Sequence, residues 1–416
     1  MMAKLTTEQK RVIYLSSMGG LLEFYDFTIY GLFAVYFSSQ FFPSNDIFIS
    51  IIASYSVFVM GYVVRPIGGI IFSHIGDEIG RKTVMILTMI LMGVASLGLG
   101  LTPTYAQIGV WAPILMLLFR LIQGLAIGGE LPSMIVYVSE SIPEKRGVAM
   151  GWIFSGTVAG LLPGMIINLV ITHHMTTTQI NNYGWRIPFI VGGLLCVVAY
   201  QVRKKLHETV AFKNLEKHEN FPIVELFKNH LTKVVIGVGL VSIMGTPIIL
   251  AIIFMPTYLA KMVKLDKEVI SNAILIATCV SVASIYFMGK LADKYSVYKL
   301  FTWCTVLIVP AAAICYYMIS MRLNLTLAIC IFAVFQGVLV TLPPILLGNL
   351  FPVHVRLSGV ALSYNISFVI FGGLTPIVLT GLIEKTGMLY VMPVMCMIFT
   401  SLITLLALAA YKRYAN

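Results

Sequence analysis

Runs of mostly apolar residues, separated by short polar segments, occupy most of the 416 residues of the chain. Most of these runs reach the length of about 20 residues that an α-helix needs to cross the hydrocarbon core of a bilayer. We therefore predict twelve membrane-spanning helices. They lie at residues 14–38, 48–73, 83–102, 108–138, 148–172, 187–202, 233–260, 269–289, 298–320, 324–346, 357–381 and 388–411.

The composition is that of a membrane protein. Only 11% of the residues are charged, whereas a soluble domain has about 25%. The chain is thus predicted to be an all-α polytopic membrane protein that is embedded in the lipid bilayer. A formal net charge of +11 would also suit a nucleic-acid partner, but basic cytoplasmic loops explain it better, and we predict no nucleic-acid binding.

Basic residues mark one side of the predicted membrane. Of the 28 Lys and Arg residues, 20 fall in segments on the side of the N-terminus and 6 in the opposite loops, while Arg65 and Arg120 lie within spans. Since Lys and Arg accumulate in cytoplasmic loops, both termini are predicted to be cytoplasmic. The expected location is the inner membrane of a bacterium.

A polar segment near the midpoint divides the chain. It covers residues 203–232 and holds six Lys and Arg residues, with Lys233 directly after it. We predict that it is a cytoplasmic linker between an N-terminal bundle of six spans, residues 1–202, and a C-terminal bundle of six spans, residues 233–416.

Two loop motifs repeat at about half the chain length. Asp77 and Asp293 correspond at a separation of 216 residues, and Arg146 and Arg356 at 210. Parallel halves related by an axis along the membrane normal are typical of alternating-access transporters, whose solute site lies between the halves. The motifs are SHIGDEIGRK (73–82) with GKLADKY (289–295), and ESIPEKRG (140–147) with NLFPVHVRLSG (349–359).

The first span holds two carboxylates. Glu23, Asp26 and Tyr30 follow one another at i, i+3 and i+7, so they share one helical face. Carboxylates in a bilayer are costly unless they are paired or protonated. Two interpretations stay open: a role in the path of the proton or solute, or fixed ion pairs with Arg65 or Arg120 that hold the helices together.

The fourth span carries a further set of polar groups. Arg120 lies about halfway along it as the one deep cation, and its forked guanidinium suits a solute carboxylate; Gln123 beside it and Tyr30 are further candidates for solute binding. Glu130 is either a second proton station or a partner in an inner gate. Arg65 is predicted near the cytoplasmic end of the second span, where it either binds solute or extends to the interface.

Charged groups in the loops are candidates for gating. The turn after the second span is tight and carries basic residues. Such charges can pair with helix ends across the two halves. These pairs would stabilise the outward-facing state, in which the cytoplasmic side is closed. The candidates are Asp77, Gly80, Arg81, Glu140 and Arg146, with Asp293 and Arg356 as weaker counterparts in the second half.

The C-terminal half has no charged residue deep within a predicted span. Tyr364 and Asn365 are polar groups on an otherwise apolar eleventh span. They either complete the solute site or form hydrogen bonds between helices. The intramembrane charge is therefore expected to come from the N-terminal half.

No enzyme or metal site is expected. The six cysteines lie in apolar runs without a C-x-x-C pair, and the seven histidines show no metal-ligand spacing. GDEIGRKT (76–83) falls short of a phosphate-binding loop because Arg81 replaces the glycine and no strand precedes it. We predict no cofactor, with the proton as coupling ion, and function as a monomer.

The motifs resemble those of a known family. GDEIGRK (76–82) resembles the loop signature of the major facilitator superfamily, and further stretches resemble its metabolite–proton symporter family. The resemblance implies the major facilitator fold, with twelve helices in two pseudo-symmetric bundles of six. The stretches are LLEFYDFTIYG (21–31), VVRPIGGIIFSHIGDEIGRK (63–82), RLIQGLAIGGE (120–130), GWRIPF (184–189) and ALSYNISFVIFGGLTP (361–376).

The resemblance also implies an activity. Members of that family import proline and betaine, α-ketoglutarate, citrate, shikimate and similar solutes with protons. We predict a proton-coupled secondary active transporter that imports a monocarboxylate or a zwitterion of the amino acid or betaine type. The alternatives are a proton-driven exporter of a small metabolite, drug or siderophore, and a di- or tricarboxylate symporter. GTVAGLLPG (156–164) departs from the fifth-span motif of drug exporters, which favours import.

Overall fold

The computed structural model describes residues 6–45, 47–213 and 222–414, and these residues form helices, turns and loops without a strand. Residues 1–5 of the predicted N-terminal segment and residues 214–221 of the predicted linker lie outside the described residues. The twelve predicted spans are confirmed as twelve long helical rods, here called α1 to α12.

The first six rods precede the linker. Val64 interrupts α2, and Gly160 interrupts α5. Their bounds are α1 Thr7–Phe41, α2 Ile47–Val63 and Arg65–Glu78, α3 Arg81–Leu101, α4 Trp111–Ser141, α5 Arg146–Ala159 and Leu161–His174, and α6 Arg186–Arg203.

The last six rods follow a short helix of the linker, Pro222–Asn229, here called the linker helix. Two of them, α7 and α11, contain π-helical segments, which occur frequently at functional sites. Their bounds are α7 Leu231–Ile248, Ile249–Ile253, Met255–Thr257 and Tyr258–Val263, α8 Lys267–Ala292, α9 Val297–Ser320, α10 Leu325–Leu350, α11 Arg356–Ser367, Phe368–Gly373 and Thr375–Thr386, and α12 Val391–Tyr414.

Eleven helical segments among the described residues are long and apolar enough to cross a membrane. They do not include α1, whose 35 residues hold Glu23 and Asp26, because its polar side chains lower its mean hydropathy. Since twelve is an even number of crossings, α1 begins and α12 ends on the same side of the bundle, which we call the terminal face.

The two halves meet along two pairs of rods. α2 packs against α11, and α5 packs against α8. Small residues allow the second pair to approach closely: a Cβ atom placed on Gly151 would lie 2.8 Å from the Cα atom of Gly289. The solute path predicted between the halves therefore lies between these two seams.

The boundary of the N-terminal bundle differs from the sequence prediction at one residue. Arg203 was assigned to the polar linker, but it is the last residue of α6 and is fully buried. Its guanidinium donates hydrogen bonds to the backbone carbonyls of Leu15, Ser16 and Met85. Arg203 thus joins α6 to α1 and α3 and is part of the bundle.

Candidate functional site

A narrow cavity lies inside the N-terminal half, between α1, α2, α3 and α4, with about 20 Å³ of space for water. It contains most of the intramembrane charges that the sequence singled out. That space holds about one water molecule, so the lining side chains must move apart to admit a solute. It is lined by Glu23, Asp26, Phe27, Phe58, Gly61, Tyr62, Arg65, Met92, Arg120, Gln123, Gly124 and Ile127.

Asp26 and Arg120 are connected through Gln123 and do not form a direct ion pair. The Gln123 amide accepts a hydrogen bond of 2.7 Å from Arg120 Nη1 and donates one of 3.3 Å to Asp26 Oδ2. Ser96 Oγ donates to the other oxygen, Asp26 Oδ1, at 2.8 Å. Both oxygens of Asp26 therefore have donors, and Ser96 is a member of this network that the sequence did not indicate.

Arg120 keeps one edge of its guanidinium without a hydrogen-bond partner among the described residues. Its Nε and Nη2 atoms are buried and unbonded, while its carbon Cζ lies 3.6 Å from the ring centroid of Tyr30 and 5.0 Å from that of Phe58. Nε and Nη2 together form a fork that matches the two oxygens of a carboxylate. An arginine oriented in this way is prepared for an anionic group in the cavity.

Glu23 faces Arg65 at a looser distance. Its carboxylate lies 3.6 Å from Arg65 Nη2, and neither of its oxygens accepts a hydrogen bond from the described residues. A buried polar group without a partner costs about 1–3 kcal/mol, more for a charge. Among the buried acids Glu23, Asp26 and Glu130, Glu23 is therefore the one that accepts the fewest hydrogen bonds from the described residues.

The predicted position of Arg65, near the cytoplasmic end of the second span, was wrong. The second rod continues to Glu78, so Arg65 stands near its middle, only 5% exposed. It does not extend to the interface, because its head group points towards Glu23 and lies 4.1 Å from the ring centroid of Tyr62. Arg120 is consequently not the one deep cation of the N-terminal half.

A second cavity joins this pair to the C-terminal half. It also has about 20 Å³ of space for water, and it is lined by Glu23 and Arg65 on one side and by residues of α7 and α11 on the other. Both of those rods contribute π-helical segments there, at Ile249 and Phe368. Glu23 and Arg65 therefore border both the interior of one half and the contact between halves.

Three aromatic rings cluster beside the two arginines. The ring centroids of Phe27, Phe58 and Tyr62 lie 4.8–5.8 Å from one another. Ring faces attract cations, with quaternary ammonium groups as a recurring ligand. The sequence analysis missed these residues because aromatic positions on an apolar helix do not differ in pattern from core positions.

The remaining candidates for solute binding are engaged within the protein. The Tyr30 hydroxyl donates to Ser54 O at 2.9 Å. Asn365 Nδ2 donates to Gly128 O at 2.8 Å, which bonds α11 to α4 across the halves. Tyr364 is 2% exposed and stacks on Phe368 with a centroid distance of 4.6 Å. Of the two readings of Asn365, its geometry corresponds to a helix–helix hydrogen bond.

Glu130 is held in an ion pair within the N-terminal half. Its Oε1 lies 2.6 Å from Arg203 Nη1, and its Oε2 accepts a hydrogen bond of 2.5 Å from Thr88. All three side chains are fully buried. The partner that the sequence left open is thus Arg203 of α6. Together with Arg65 and Arg120 it balances the three buried acids Glu23, Asp26 and Glu130.

The terminal face carries contacts between the halves around Asp77. Asp77 Oδ2 accepts hydrogen bonds from the backbone N and the hydroxyl of Ser358, at 3.0 and 2.7 Å, in the first turn of α11. Its other oxygen lies 3.3 Å from Arg81 Nη2, which also donates to Val353 O at 2.9 Å. Gly80 permits the turn between them with a φ of 126°, a conformation available mainly to glycine.

Glu140 forms ion pairs with two arginines, one from each half. Its carboxylate lies 3.5 Å from Arg81 Nε and 3.1 Å from Arg356 Nη1. Arg146, a further gating candidate, lies on the same face and does not form an ion pair with Glu140. It donates instead to the side chain of Asn349 and to Ser139 O.

Asp293 forms the counterpart of the Asp77 contact. Its two oxygens accept backbone N–H bonds from Gly147 at 2.7 Å and from Val148 at 3.0 Å, at the start of α5. Each half thus places one aspartate on a helix N-terminus of the other, where the helix dipole favours a negative charge. Asp293, predicted as a weaker counterpart, accepts two hydrogen bonds across the halves as Asp77 does, while Asp77 also faces Arg81.

Comparisons with known proteins agree with this architecture. The chain is 32% identical over 386 residues to the putative proline/betaine transporter of Staphylococcus aureus strain COL, covering 91% of this chain and 83% of that protein. It is 29% identical over 429 residues to the glycine betaine/proline/ectoine/pipecolic acid transporter OusA of Dickeya dadantii, covering 98% and 84%.

Solved structures share the fold at low identity. The proton:xylose symporter XylE matches with a TM-score of 0.81 and 12% identity, covering 98% of this chain and 96% of that chain. The transporter FucP in its outward conformation matches with a TM-score of 0.66 and 12% identity, covering 95% and 99%. The model of the Major Facilitator Superfamily matches residues 17–369, and the chain therefore belongs to this family of membrane transporters.

Proposed function

We propose that the protein imports a small zwitterionic solute of the proline or betaine type, together with protons, by alternating access. The observation that carries the proposal is the unbonded fork of Arg120 in a buried cavity that also holds two carboxylates and an aromatic cluster. The names of the similar proteins, which are proline and betaine transporters, support the same solute class.

The cavity lining offers a binding partner for each end of a zwitterion. A carboxylate would bind Nε and Nη2 of Arg120, and an ammonium group would lie against the rings of Phe27, Phe58 and Tyr62. The charged groups that line the cavity are two acids and two bases, so a solute without net charge leaves the balance unchanged. A di- or tricarboxylate would bring uncompensated negative charge into a buried site, which is costly.

The proton is proposed to bind at Glu23. A proton on this carboxylate neutralises a buried charge that no donor among the described residues satisfies. Asp26, in contrast, is held by Ser96 and Gln123 and would orient Arg120 through the amide. Because Glu23 also borders α7 and α11, its charge state can influence the contact between halves.

The contacts of the terminal face are proposed as an inner gate. Asp77, Asp293 and Glu140 join the two halves there, which closes the solute path on that side. The predicted excess of basic residues assigns this face to the cytoplasm. The described state is then closed towards the cytoplasm, in a chain that functions as a monomer in a bacterial inner membrane.

Uptake by purified protein in proteoliposomes tests the proposal. Labelled proline, glycine betaine, a monocarboxylate and a tricarboxylate are compared with and without an inward proton gradient. We expect the gradient to drive accumulation of proline or betaine. Expulsion of solute under the same gradient would indicate an exporter, and accumulation of the tricarboxylate alone would overturn the solute class.

Arg120→Lys supplies the residue-level part of this test. Lysine keeps the charge and loses the fork, so we expect the solute to bind about tenfold more weakly or worse, a loss of about 1.4 kcal/mol. Arg413→Lys, at an exposed position near the end of α12, is the matched control. Unchanged affinity in Arg120→Lys would show that Arg120 serves packing only.

A further inference from the structure

Three side chains from the linker segment and from the turn before α11 converge beside the inner gate. Glu225 of the linker helix, His230 directly before α7, and His354 of the turn Val353–Val355 place their ligand atoms within 4.8 Å of one another. His354 Nε2 lies 2.8 Å from Glu225 Oε1. The histidine spacing gave no sign of this cluster, because its members come from three separate elements.

We infer that Glu225, His230 and His354 bind a divalent transition metal ion of the Zn²⁺ class, and that the bound ion holds the inner gate closed. Two imidazoles and one carboxylate are a donor set that Zn²⁺ takes readily, with water completing a tetrahedron. The structure describes only the protein side of this site, and the inference concerns its three ligands.

The geometry requires only small adjustments. Ligand atoms around tetrahedral Zn²⁺ lie about 3.3 Å apart, given bonds of about 2.0–2.1 Å, so rotations of the side chains suffice to bring the three atoms together. The side chains of His354 and Glu225 are 25% and 20% exposed, so an ion reaches them from the aqueous side.

The position of the site connects it to the gate. His354 follows Val353, whose carbonyl accepts the hydrogen bond from Arg81, and precedes Ser358, which binds Asp77. The linker helix contacts this turn, and it also packs against α2 of the other half. An ion that ties Glu225 to His230 and His354 therefore fixes the linker helix and the turn in the arrangement they have in the closed gate.

Binding is tested first, on the purified full-length protein. Zn²⁺ is titrated against wild type, His354→Ala and Glu225→Gln in competition with a fluorescent zinc indicator. We expect one ion per chain in wild type and an affinity lower by about tenfold or more in each variant. His207→Ala, an exposed histidine on the same face, should bind as wild type does. Equal binding by wild type and both cluster variants would overturn the site.

The effect on the gate is tested second, and this part rests on the proposed transport function. Zn²⁺ is applied to the terminal face in proteoliposomes, and solute exchange is followed. We expect exchange by wild type to slow several-fold, with His354→Ala insensitive and Mg²⁺ without effect. Equal inhibition of wild type and His354→Ala would overturn the link to the gate. A chain that transports no test solute would contradict the proposed function, while the binding experiment still decides the metal site.

Discussion

Replacing Asp77 by asparagine tests whether the contacts on the terminal face control opening. Asp77 accepts two hydrogen bonds from Ser358 and faces Arg81 at 3.3 Å. Asparagine has nearly the same shape, but it carries no charge. The substitution therefore removes the charge from the contact between halves and leaves the packing of the turn in place.

The expected loss of stability of the closed state follows from the two hydrogen bonds. A bond to a charged group contributes about 1.5–3 kcal/mol and a neutral one about 0.5–1.5 kcal/mol, so each bond to Ser358 loses about 1 kcal/mol. The total of about 2 kcal/mol applies to the closed state, because opening separates Asp77 from α11. It corresponds to a shift of about 30-fold in the ratio of closed to open molecules.

Distances between spin labels measure this ratio directly. Glu144 and Tyr295 are exposed and lie in the terminal-face loops of different halves, so labels at these positions move apart when the gate opens. We expect Asp77→Asn to add a longer distance to the distribution and to slow transport, with solute affinity within a few-fold of wild type. Glu78→Gln, the exposed neighbour in the same turn, is the control.

Two outcomes would refute this reasoning. An unchanged distance distribution in Asp77→Asn would show that the bonds to Ser358 contribute too little to determine the closed state. Loss of equilibrium solute binding in a correctly folded variant would place Asp77 in the solute site and not in a gate.

Three further predictions follow from the buried charges. Glu23→Gln should abolish uphill uptake driven by pH while sparing solute exchange, measured in the same proteoliposomes; if Glu23→Gln and Asp26→Asn both still accumulate solute, the proton binds elsewhere. Glu130→Gln should lower the unfolding free energy by about 3–5 kcal/mol, seen as a lower melting temperature, because Arg203 keeps a buried charge; an unchanged melting temperature would contradict this. Burial raises the pKa of Asp293, so acidification of the cytoplasmic side should protonate Asp293 at a pH where an exposed aspartate stays ionised. The protonated carboxyl should bind the N–H groups of Gly147 and Val148 more weakly, and this contact between the halves should open. The distance between the two spin labels, measured as a function of pH in wild type and in Asp293→Asn, would show this opening. Identical pH curves for the two proteins would exclude it.

The spans were predictable from sequence because the bilayer imposes a length and a composition on each crossing. The face shared by Glu23 and Asp26 was likewise predictable, since helical periodicity alone sets it. The loop repeat anticipated that Asp77 and Asp293 occupy corresponding places. These features depend on local rules or on internal comparison of one chain.

The remaining features depend on which rods meet, and no local rule supplies that. Arg203 follows an apolar run and begins a basic segment, so its sequence position is that of a loop anchor; only the packing of α6 against α1 and α3 buries it. Arg65 appeared shallow because the predicted second span ended at residue 73, five residues before Glu78, where the helix ends. The proposed metal ligands His230 and His354 are brought together by tertiary contacts alone.

The distances within the N-terminal half separate two kinds of buried charge. Glu130 and Arg203 lie 2.6 Å apart, and both are satisfied further by Thr88 and by backbone carbonyls. A close ion pair whose two members have further hydrogen bonds is expensive to disturb and therefore suits a fixed joint between helices. Glu23 has a looser ion pair, at 3.6 Å from Arg65, and neither of its oxygens accepts a hydrogen bond from the described residues, while Nε and Nη2 of Arg120 donate none. Groups that the protein leaves unsatisfied gain most from an arriving proton or carboxylate, so the solute and proton are expected to act at Arg120 and Glu23, and Glu130 is expected to hold the bundle together.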